Sequence, residues 1–286
     1  MIFQAACYTE CGPVRPSNQD SFCIKAARLG NTQAALVLVC DGLGGLVQGE
    51  LASAQVVRAF DSWFWNYLPA LLKEGVTADR LSAQWNGLIQ GENRAIRDYG
   101  ARRGISLGTT VTALLVVDRQ YFLLHAGDSR AYLLWNGQAV QLTSDQTLAA
   151  REFQSGRITA EQLRSDPRQH VLLQCVGVNQ VTPDFLTGQV PGSCLFLLCS
   201  DGFYHTVTSQ ELAGLSVQPM AGTAVQLELG RLGGLCRQRG EQDNLTAAAL
   251  LCLSSSCPPT ASMEGGREEE FHVILDLSQV HTDQTI

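Results

Sequence analysis

Short, continuous apolar runs rich in Val, Leu and Cys recur along the chain and predict buried β-strands. Strands of this length need no alternation of polar and apolar positions when both of their faces are covered. The clearest runs span residues 34–40, 110–117, 121–126, 195–199 and 245–253. A strand-like segment at 130–135 precedes Asn136-Gly137, a dipeptide typical of tight hairpins. The pattern therefore predicts a large sheet that is at least partly antiparallel.

Two stretches between the early and middle strands follow helical periodicity. Residues 47–72 are apolar on more than one side, so we expect this helix to be buried against the sheet. Between residues 81 and 99, apolar positions recur at steps of three and four. Thr77 is the predicted N-cap of this second helix, and Gly100 and Gly104 are its predicted stop signals. The sequence therefore places two long helices after the first strands.

The character of the chain changes after residue 253, which predicts a domain over 1–253 followed by a linker and tail. Residues 254–286 begin with Ser and Pro and contain six acidic residues and one basic residue, which account for five of the seven net negative charges. We expect this acidic tail to be mostly mobile, with residues 271–277 as an alternative short strand or partner-docking segment. Within the domain, residues 145–178 are predicted to leave the sheet.

Composition excludes several classes of protein. The 286 residues are 45% hydrophobic and 16% charged, which is typical of an extensive core and not of a disordered chain or a coiled coil. A net charge of −7 argues against wholesale binding of nucleic acid or an anionic membrane. No apolar run reaches the roughly 18 to 20 residues of a membrane helix, and no signal-peptide pattern begins the chain. With cysteines inside apolar runs and no CxxC pair, these features predict a cytoplasmic protein with reduced cysteines.

Aspartates occur where the predicted strands begin and end. Asp41 and Asp201 each close an apolar run and precede glycine, whereas Asp20 and Asp243 stand just before strands. In an antiparallel sheet the end of one strand lies beside the start of its neighbour, so these four carboxylates can converge on one edge. Asp128 lies between two strand-like segments and can join them. Any single Asp-Gly pair is typical of a turn, and the evidence is in the ordered set.

Carboxylates that converge in this way require a cation, because like charges within about 4 to 6 Å raise each other's pKa. Hard oxygen ligands without paired Cys or His favour Mg²⁺ or Mn²⁺. Two such ions roughly 3.5 to 4 Å apart activate a water and neutralise a phosphoryl group under in-line attack. The arrangement thus predicts hydrolysis of a phosphate ester. Arg15, which alone would be typical of a surface charge, is a candidate for binding the phosphate.

The ordered motifs resemble those of the metal-dependent PP2C-type (PPM) serine/threonine protein phosphatases, in their compact bacterial form. The resemblance covers about residues 3 to 253. Its motifs lie at residues 15–20, 41–45, 49–53, 108–110, 127–130, 200–202 and 243–244, with further similarity at 142–145 and 167–177.

The resemblance implies an α+β fold, a four-layer αββα sandwich of two antiparallel sheets flanked by helix pairs. It also implies that Asp41 bridges two metal ions and that the Gly42 carbonyl binds one of them. Asp201 and Asp243 would complete the other metal site, and Asp20 would hold its ion directly or through water.

Further roles follow from the same resemblance. Asp128 would share a weaker third ion with Asp201, and Arg15 would bind the phosphate. Residues 145–178 would form a flap beside the site that helps to admit protein substrates. The implied partners are phosphorylated proteins and a cognate serine/threonine kinase, and we expect a monomer.

The chain departs from the family pattern at several positions near the site. Leu43 and Leu46 stand where many relatives have a histidine, so no side chain is identified as the general acid and a metal-bound water is left for that role. Gln19 replaces an acid, and His205 replaces an extra acid for the third ion. In the flap, two glutamines replace the more usual His and Arg. They are Gln146 and Gln174.

The sequence thus predicts a phosphoserine/phosphothreonine protein phosphatase that requires Mn²⁺ or Mg²⁺. Two alternatives stay open: a catalytically weak regulator that binds phosphoproteins, and a hydrolase of a small phosphate ester. The four remaining isolated histidines show no ligand spacing and are expected to be structural or surface residues. They are His125, His170, His272 and His281.

Overall fold

Two antiparallel sheets form the centre of the computed structural model, which describes residues 1–43, 48–216, 221–254 and 270–286. The strands are β1 (Ile2–Glu10), β2 (Asp20–Leu29), β3 (Thr32–Asp41), β4 (Val111–Val117), β5 (Gln120–Ala126), β6 (Arg130–Trp135), β7 (Gln138–Gln141), β8 (Asp184–Gln189), β9 (Cys194–Cys199), β10 (Leu245–Leu253) and β11 (Phe271–Gln279). One sheet has the order β1-β10-β9-β6-β7 and the other β11-β2-β3-β4-β5-β8.

Helices cover the outer faces of both sheets. They are α1 (Gly49–Asn66), α2 (Leu68–Glu74), α3 (Ala78–Arg103), α4 (Leu148–Gln154), α5 (Ala160–Ser165), α6 (Asp201–Tyr204), α7 (Ser209–Ala213) and α8 (Gly222–Gln238). Helices α1 and α3 pack on the six-stranded sheet, and α8 packs on the five-stranded sheet. The predicted α+β sandwich with αββα layers is therefore confirmed.

Three apolar layers lie between the four structural layers, which explains why the strands are continuously apolar. Neighbouring residues of β3 show this directly, since Leu36 packs toward the helices and Val37 packs between the sheets. Phe196 and Leu250 meet Val37 in the layer between the sheets. Because both faces of the central strands are covered, neither face keeps the polar positions that would mark it as solvent-facing.

The first predicted helix is two helices in the structure. The expectation of one helix over 47–72 is wrong, because α1 ends at Asn66 and α2 begins at Leu68. Pro69 lies in the first turn of α2, where it has no N–H to donate and its ring excludes a continuous helix. The second helix begins as predicted, with the Thr77 hydroxyl accepting a hydrogen bond from the Arg80 amide.

The end of this second helix is set by Gly104 and not by Gly100. Helix α3 continues through Gly100 to Arg103. Gly104 then adopts a φ of 65°, a left-handed conformation that ends a helix at little steric cost only when the residue has no Cβ.

The tail after the linker contributes an edge strand. Strand β11 pairs antiparallel with β2, from Phe271 opposite Leu29 to Gln279 opposite Phe22. The expectation of a mobile tail is therefore wrong for residues 271–279, whereas 255–269 lie outside the described residues. Local sequence patterns do not show this pairing, because the strand partner is some 250 positions away in the chain.

Lys25 explains how this strand is held. It is buried on β2, and its Nζ lies 2.7 Å from a carboxylate oxygen of Asp276 on β11 and 2.7 Å from one of Asp61 on α1. Nζ also lies 5.6 Å from the centre of the Trp65 ring. A buried ammonium requires such partners, so Lys25 connects the tail strand to the helix layer.

We expect Lys25→Met to lower the free energy of unfolding by about 1–3 kcal/mol, because Asp276 and Asp61 lose their charged partner. Urea unfolding followed by tryptophan fluorescence measures the change. Hydrogen exchange of the β11 amides should accelerate as well. Lys73→Met, at an exposed position in the last turn of α2, is the matched control; equal effects of the two substitutions would contradict this role of Lys25.

Candidate metal centre

Two of the predicted carboxylates lie opposite each other in adjacent strands. Asp20, the first residue of β2, is the register partner of Asp41, the last residue of β3. The Asp41 amide donates to the Thr110 hydroxyl at 2.9 Å, and the Gly42 amide donates to the Gln19 carbonyl at 3.1 Å. The start of one strand thus lies beside the end of its neighbour, as the antiparallel argument requires.

The other sheet repeats this arrangement with Asp201 and Asp243. Asp201 begins α6 directly after β9, and Asp243 lies just before β10, the strand that pairs with β9. A Cβ on Gly202 would lie 2.2 Å from the Asn244 carbonyl oxygen, so only glycine allows the two segments to approach this closely.

Ser200 joins the two pairs across the sheets. Its hydroxyl donates to Asp20 Oδ2 at 2.8 Å and accepts from the Thr246 amide at 3.0 Å. Ser200 belongs to the motif at 200–202, which by itself indicates no role for its hydroxyl. A hydroxyl directly before a strand-end aspartate was the available signal, but only the stacking of the sheets shows which carboxylate it contacts.

Asp128, in the connection between β5 and β6, lies near Asp41 and Asp201. It is buried, and the Tyr204 hydroxyl donates to its backbone carbonyl at 3.0 Å. Gln146, one of the departures from the family pattern, accepts from the Gly127 amide at 2.9 Å. This flap glutamine therefore positions the loop that carries Asp128.

A cavity of about 440 Å³ collects these groups at one end of the sandwich. Asp20 lies behind it, fully buried beside Asp41. The flap supplies the apolar side of the wall, including Leu172 and Leu173. Leu43, at the position where relatives carry a histidine, lines the cavity as well, while Leu46 lies outside the described residues. Four predicted carboxylates and Arg15 line the cavity: Asp41, Asp128, Asp201 and Asp243.

Burial and mutual repulsion raise the pKa values of Asp20, Asp41, Asp128 and Asp201. Burial raises the pKa of Asp20 to about 7, with Asp201 and Asp243 adding to the shift. Burial also raises the pKa of Asp41 well above its usual range, and the charges of Asp20, Asp201 and Asp128 add to it. A group of this kind holds its charges only if a cation offsets them.

The donor set fits divalent metal ions. Oδ1 of Asp20 is buried and has no hydrogen-bond partner among the described residues. The remaining groups are carboxylate oxygens around a cavity, the ligand type that Mg²⁺ and Mn²⁺ prefer. Asp20, Asp41, Asp201 and Asp243 would hold such ions, and the structure brings all four together.

Arg15 lies in the cavity wall but is engaged with a carboxylate. Its Nε and Nη2 donate to the two carboxylate oxygens of Asp243 at 2.8 and 2.6 Å. A guanidinium in this bidentate position offsets the charge of Asp243 directly. The sequence predicts that Arg15 faces a phosphate and gives no sign of this pair, since the partners are 228 positions apart.

The amides around the site are arranged by two asparagines. Asn244 Oδ1 accepts from the Gln19 amide at 2.9 Å, and Asn18 Oδ1 accepts from the Asp20 amide at 3.1 Å. Gln19 itself donates through Nε2 to Glu50 at 3.1 Å. The glutamine that replaces an acid therefore donates to the Glu50 carboxylate and adds no further charge to the cluster.

Comparison with known proteins identifies the family. Residues 15–228 match the family described as protein phosphatase 2C, and the chain belongs to this family. It is 30% identical over 238 residues to the serine/threonine protein phosphatase PstP of Mycobacterium tuberculosis, covering 82% of this chain and 43% of PstP. It is 31% identical over 207 residues to the serine/threonine phosphatase stp of Listeria innocua, covering 71% of this chain and 79% of that protein. The chain thus spans less than half the length of PstP.

Solved structures agree with the sequence relationship. The serine/threonine phosphatase of S. agalactiae superposes with a TM-score of 0.75 at 25% identity, covering 87% of this chain and 99% of that one. The catalytic domain of PstP in complex with two manganese ions superposes with a TM-score of 0.70 at 27% identity, covering 88% and 99%. Among the described residues of this chain, no helix has the length and hydropathy needed to cross a bilayer.

The raised pKa of Asp20 predicts how pH affects the stability of the metal-free protein. Between the ordinary carboxyl pKa of about 3.9 and the folded-state pKa of about 7, the folded chain keeps a proton that the unfolded chain has released. The free energy of unfolding therefore falls as pH rises through this window. Asp20→Asn removes the titration and keeps an acceptor for Ser200, so in EDTA its melting temperature should exceed that of the wild type by more at pH 8 than at pH 5.

Thermal unfolding at the two pH values provides the measurement. Asp79→Asn, at an exposed position in the first turn of α3, is the control and should shift the melting temperature equally at both. A stabilisation by Asp20→Asn that does not depend on pH would show that the Asp20 carboxyl does not titrate with a raised pKa in the folded protein.

Proposed function

We propose that this protein hydrolyses phosphoserine and phosphothreonine in proteins and requires Mn²⁺ or Mg²⁺. The observation that carries the proposal is the convergence of Asp41, Asp201 and Asp243 from the adjoining ends of two sheets on one cavity, with Asp20 buried beside Asp41. Membership of the protein phosphatase 2C family and a similar structure determined with two manganese ions support the metal requirement. When bound, two divalent ions activate a water at neutral pH and offset the charge of the phosphoryl group.

The protein's own residues would divide the remaining work. Asp41 interacts with the charge of Asp20 on its own sheet and with those of Asp201 and Asp243 on the other, which suits it to hold both ions. Asp201 and Asp243 would hold the second ion. The Gly42 carbonyl is proposed as a further ligand, and Asp128 as a ligand of a third, weaker ion. Ser200 fixes the orientation of Asp20 through its hydrogen bond to Oδ2.

Arg15 would exchange partners when the substrate binds. Its guanidinium is one-third exposed and faces the cavity, so it can release Asp243 to an ion and turn to the phosphate oxygens. Leu43 offers no proton to the leaving oxygen, and the apolar wall formed by Leu172, Leu173 and Val178 reduces the water around the reacting group.

The flap is the proposed contact for the protein substrate. Residues 145–178 contain α4 and α5. An isolated β-bridge between Thr109 and Val176 connects the flap to the core, and another between Thr147 and Leu172 connects two parts of the flap. The flap thus stands beside the cavity with exposed apolar residues such as Val171 at its surface. Proteins phosphorylated by a cognate serine/threonine kinase are the proposed substrates.

We place this reaction in the cytoplasm and expect the protein to act as a monomer. The nine described cysteines are free, and seven of them are buried. Reduced thiols at this density are typical of a reducing compartment.

Removal of one metal-binding carboxylate should abolish most of the activity. We expect Asp41→Asn and Asp243→Asn to lower kcat/KM on a phosphothreonine peptide by more than about 100-fold, since even outer-shell partners of a metal cost roughly 10- to 100-fold. EDTA should abolish phosphate release, and Mn²⁺ should restore it. Asp79→Asn is the matched control and should retain wild-type rates.

The outcomes separate the three functions considered. Full activity of Asp41→Asn or activity in EDTA would overturn the metal assignment. Tight capture of the phosphopeptide without phosphate release at any Mn²⁺ concentration would identify a binding regulator. Turnover of a small phosphate ester with no turnover of phosphopeptides would identify a small-molecule hydrolase.

We expect substitution of Arg15 to weaken substrate binding more than metal binding. Because a hydrogen bond to a charged group contributes about 1.5–3 kcal/mol, Arg15→Ala should lower kcat/KM by about 10- to 100-fold, mainly through KM. Arg15→Lys should restore it only in part, since lysine lacks the bidentate fork. Steady-state kinetics at several Mn²⁺ concentrations measure both parameters. A loss that saturating Mn²⁺ reverses would show that Arg15 acts through Asp243 and not on the phosphate.

A further inference from the structure

A second group of ligating side chains lies at the rim of the cavity and contains two histidines. His170 ends the 3-10 turn Pro167–His170 in the flap, Asp201 begins α6, and His205 directly follows α6. One ligating atom from each of the three side chains lies within 4.8 Å of those of the other two. The two imidazole rings are 5.4 Å apart between centroids and nearly perpendicular.

The chemistry of this group differs from that of the carboxylate cluster. Imidazole nitrogens suit borderline ions such as Zn²⁺, whereas Mg²⁺ and Mn²⁺ prefer oxygens. With Zn–N bonds of roughly 2.0–2.1 Å, neighbouring ligands in a tetrahedral site are about 3.4 Å apart. His205 Nε2 is already 4.0 Å from Asp201 Oδ2. All three ligating atoms lie within 4.8 Å of one another, so adjustments of both histidine side chains would be needed to reach ligating distances.

The surroundings of His205 favour this use of its ring. Nδ1 lies 3.9 Å from Oε2 of Glu241, while Oε1 of the same carboxylate accepts from the amides of Gln242 and Asp243 at 2.8 and 3.0 Å. The backbone therefore holds Glu241 with one oxygen directed to Nδ1. At 3.9 Å this contact is longer than a hydrogen bond. On closer approach the carboxylate would place the proton on Nδ1 and leave the other nitrogen, Nε2, free to ligate a metal.

His170 is the ligand that moves most easily. Its Nε2 is 3.4 Å from the side-chain amide of Gln169, a long contact at an exposed position, so little is lost when the ring turns toward Asp201.

We propose that His170, Asp201 and His205 form a binding site for a borderline divalent cation, with Zn²⁺ as the foremost candidate and water as the fourth ligand. One oxygen of Asp201 would serve this ion and the other would remain for the catalytic pair. Because His170 belongs to the flap and the other two ligands belong to the core, the bound ion would tie the flap to α6 across the mouth of the cavity. The proposal does not depend on which phosphoester the protein hydrolyses.

Zinc stoichiometry tests the site directly. After equilibrium dialysis against Zn²⁺, the wild type should retain one more equivalent of metal than the double variant His170→Ala/His205→Ala. His272→Ala/His281→Ala, which removes two histidines of the tail, is the matched control and should retain the wild-type amount. Equal zinc content in the wild type and the His170/His205 double variant would overturn the proposal.

A second set of variants locates the extra ion. If Asp128→Asn loses the equivalent while the His170/His205 double variant keeps it, the ion lies between Asp128 and Asp201 and the proposed site is wrong. Glu241→Gln keeps all three ligands, and we expect it to weaken zinc binding about 10- to 100-fold. This variant keeps the proposal testable should the double variant fail to fold, and unchanged affinity in it would count against the site.

The expected effect on the flap provides a readout that is independent of activity. Zn²⁺ should slow hydrogen exchange of the backbone amides at 160–172 in the wild type and leave it unchanged in the double variant. Substitution with Co²⁺ should give the intense visible absorption of a four-coordinate ion with nitrogen ligands, again only when both histidines are present. Slowed exchange that persists without the histidines would show that zinc acts at the carboxylate cluster alone.

Discussion

Repulsion among five aspartates that have lost much of their hydration is the constraint on which the rest of the site depends. Burial and neighbouring charges raise the pKa values of Asp20, Asp41, Asp128 and Asp201 together. No arrangement of a protein concentrates carboxylates in this way without a cost in stability, and divalent cations bound among them would offset that cost. Arg15 offsets one of the charges, at Asp243.

The sandwich is what allows such a cluster to persist. The apolar layer between the sheets, with residues such as Val37 and Phe196, aligns the ends of strands from both sheets at one edge. Ser200 connects the two edges, and Gly202 permits the close approach of the segment that carries Asp243. The energy that orders the carboxylates therefore comes from burial of apolar surface elsewhere in the fold.

The same principle of compensated charge recurs away from the cavity. Lys25 is buried under the edge strand β11 and is matched by carboxylates from two different layers. At the rim of the cavity, two histidines approach Asp201 and oppose the rise in its pKa that burial causes. These charged groups lie where distant segments meet, and each depends on the packing of more than one element.

Local sequence patterns by themselves determined several features of the fold and of the site. Apolar runs identified the central strands because both of their faces are covered, Thr77 predicted the start of α3, and aspartates next to the strand ends indicated a cation site. Pro69 also predicts the break between α1 and α2, although apolar positions at helical spacing on both sides of it favour one continuous helix. These features depend on burial and on backbone conformation within a few residues.

Only the tertiary structure decided which distant groups meet. The Arg15–Asp243 pair, the docking of β11 on β2 and the approach of His170 to His205 each join segments that share no local pattern. Isolated histidines carry no ligand spacing in the sequence, because the flap and α6 bring them together only after both have packed on the sheets. Hydrophobic periodicity specifies that a residue is buried or exposed, whereas the partner of a charged side chain depends on the relative position of whole layers.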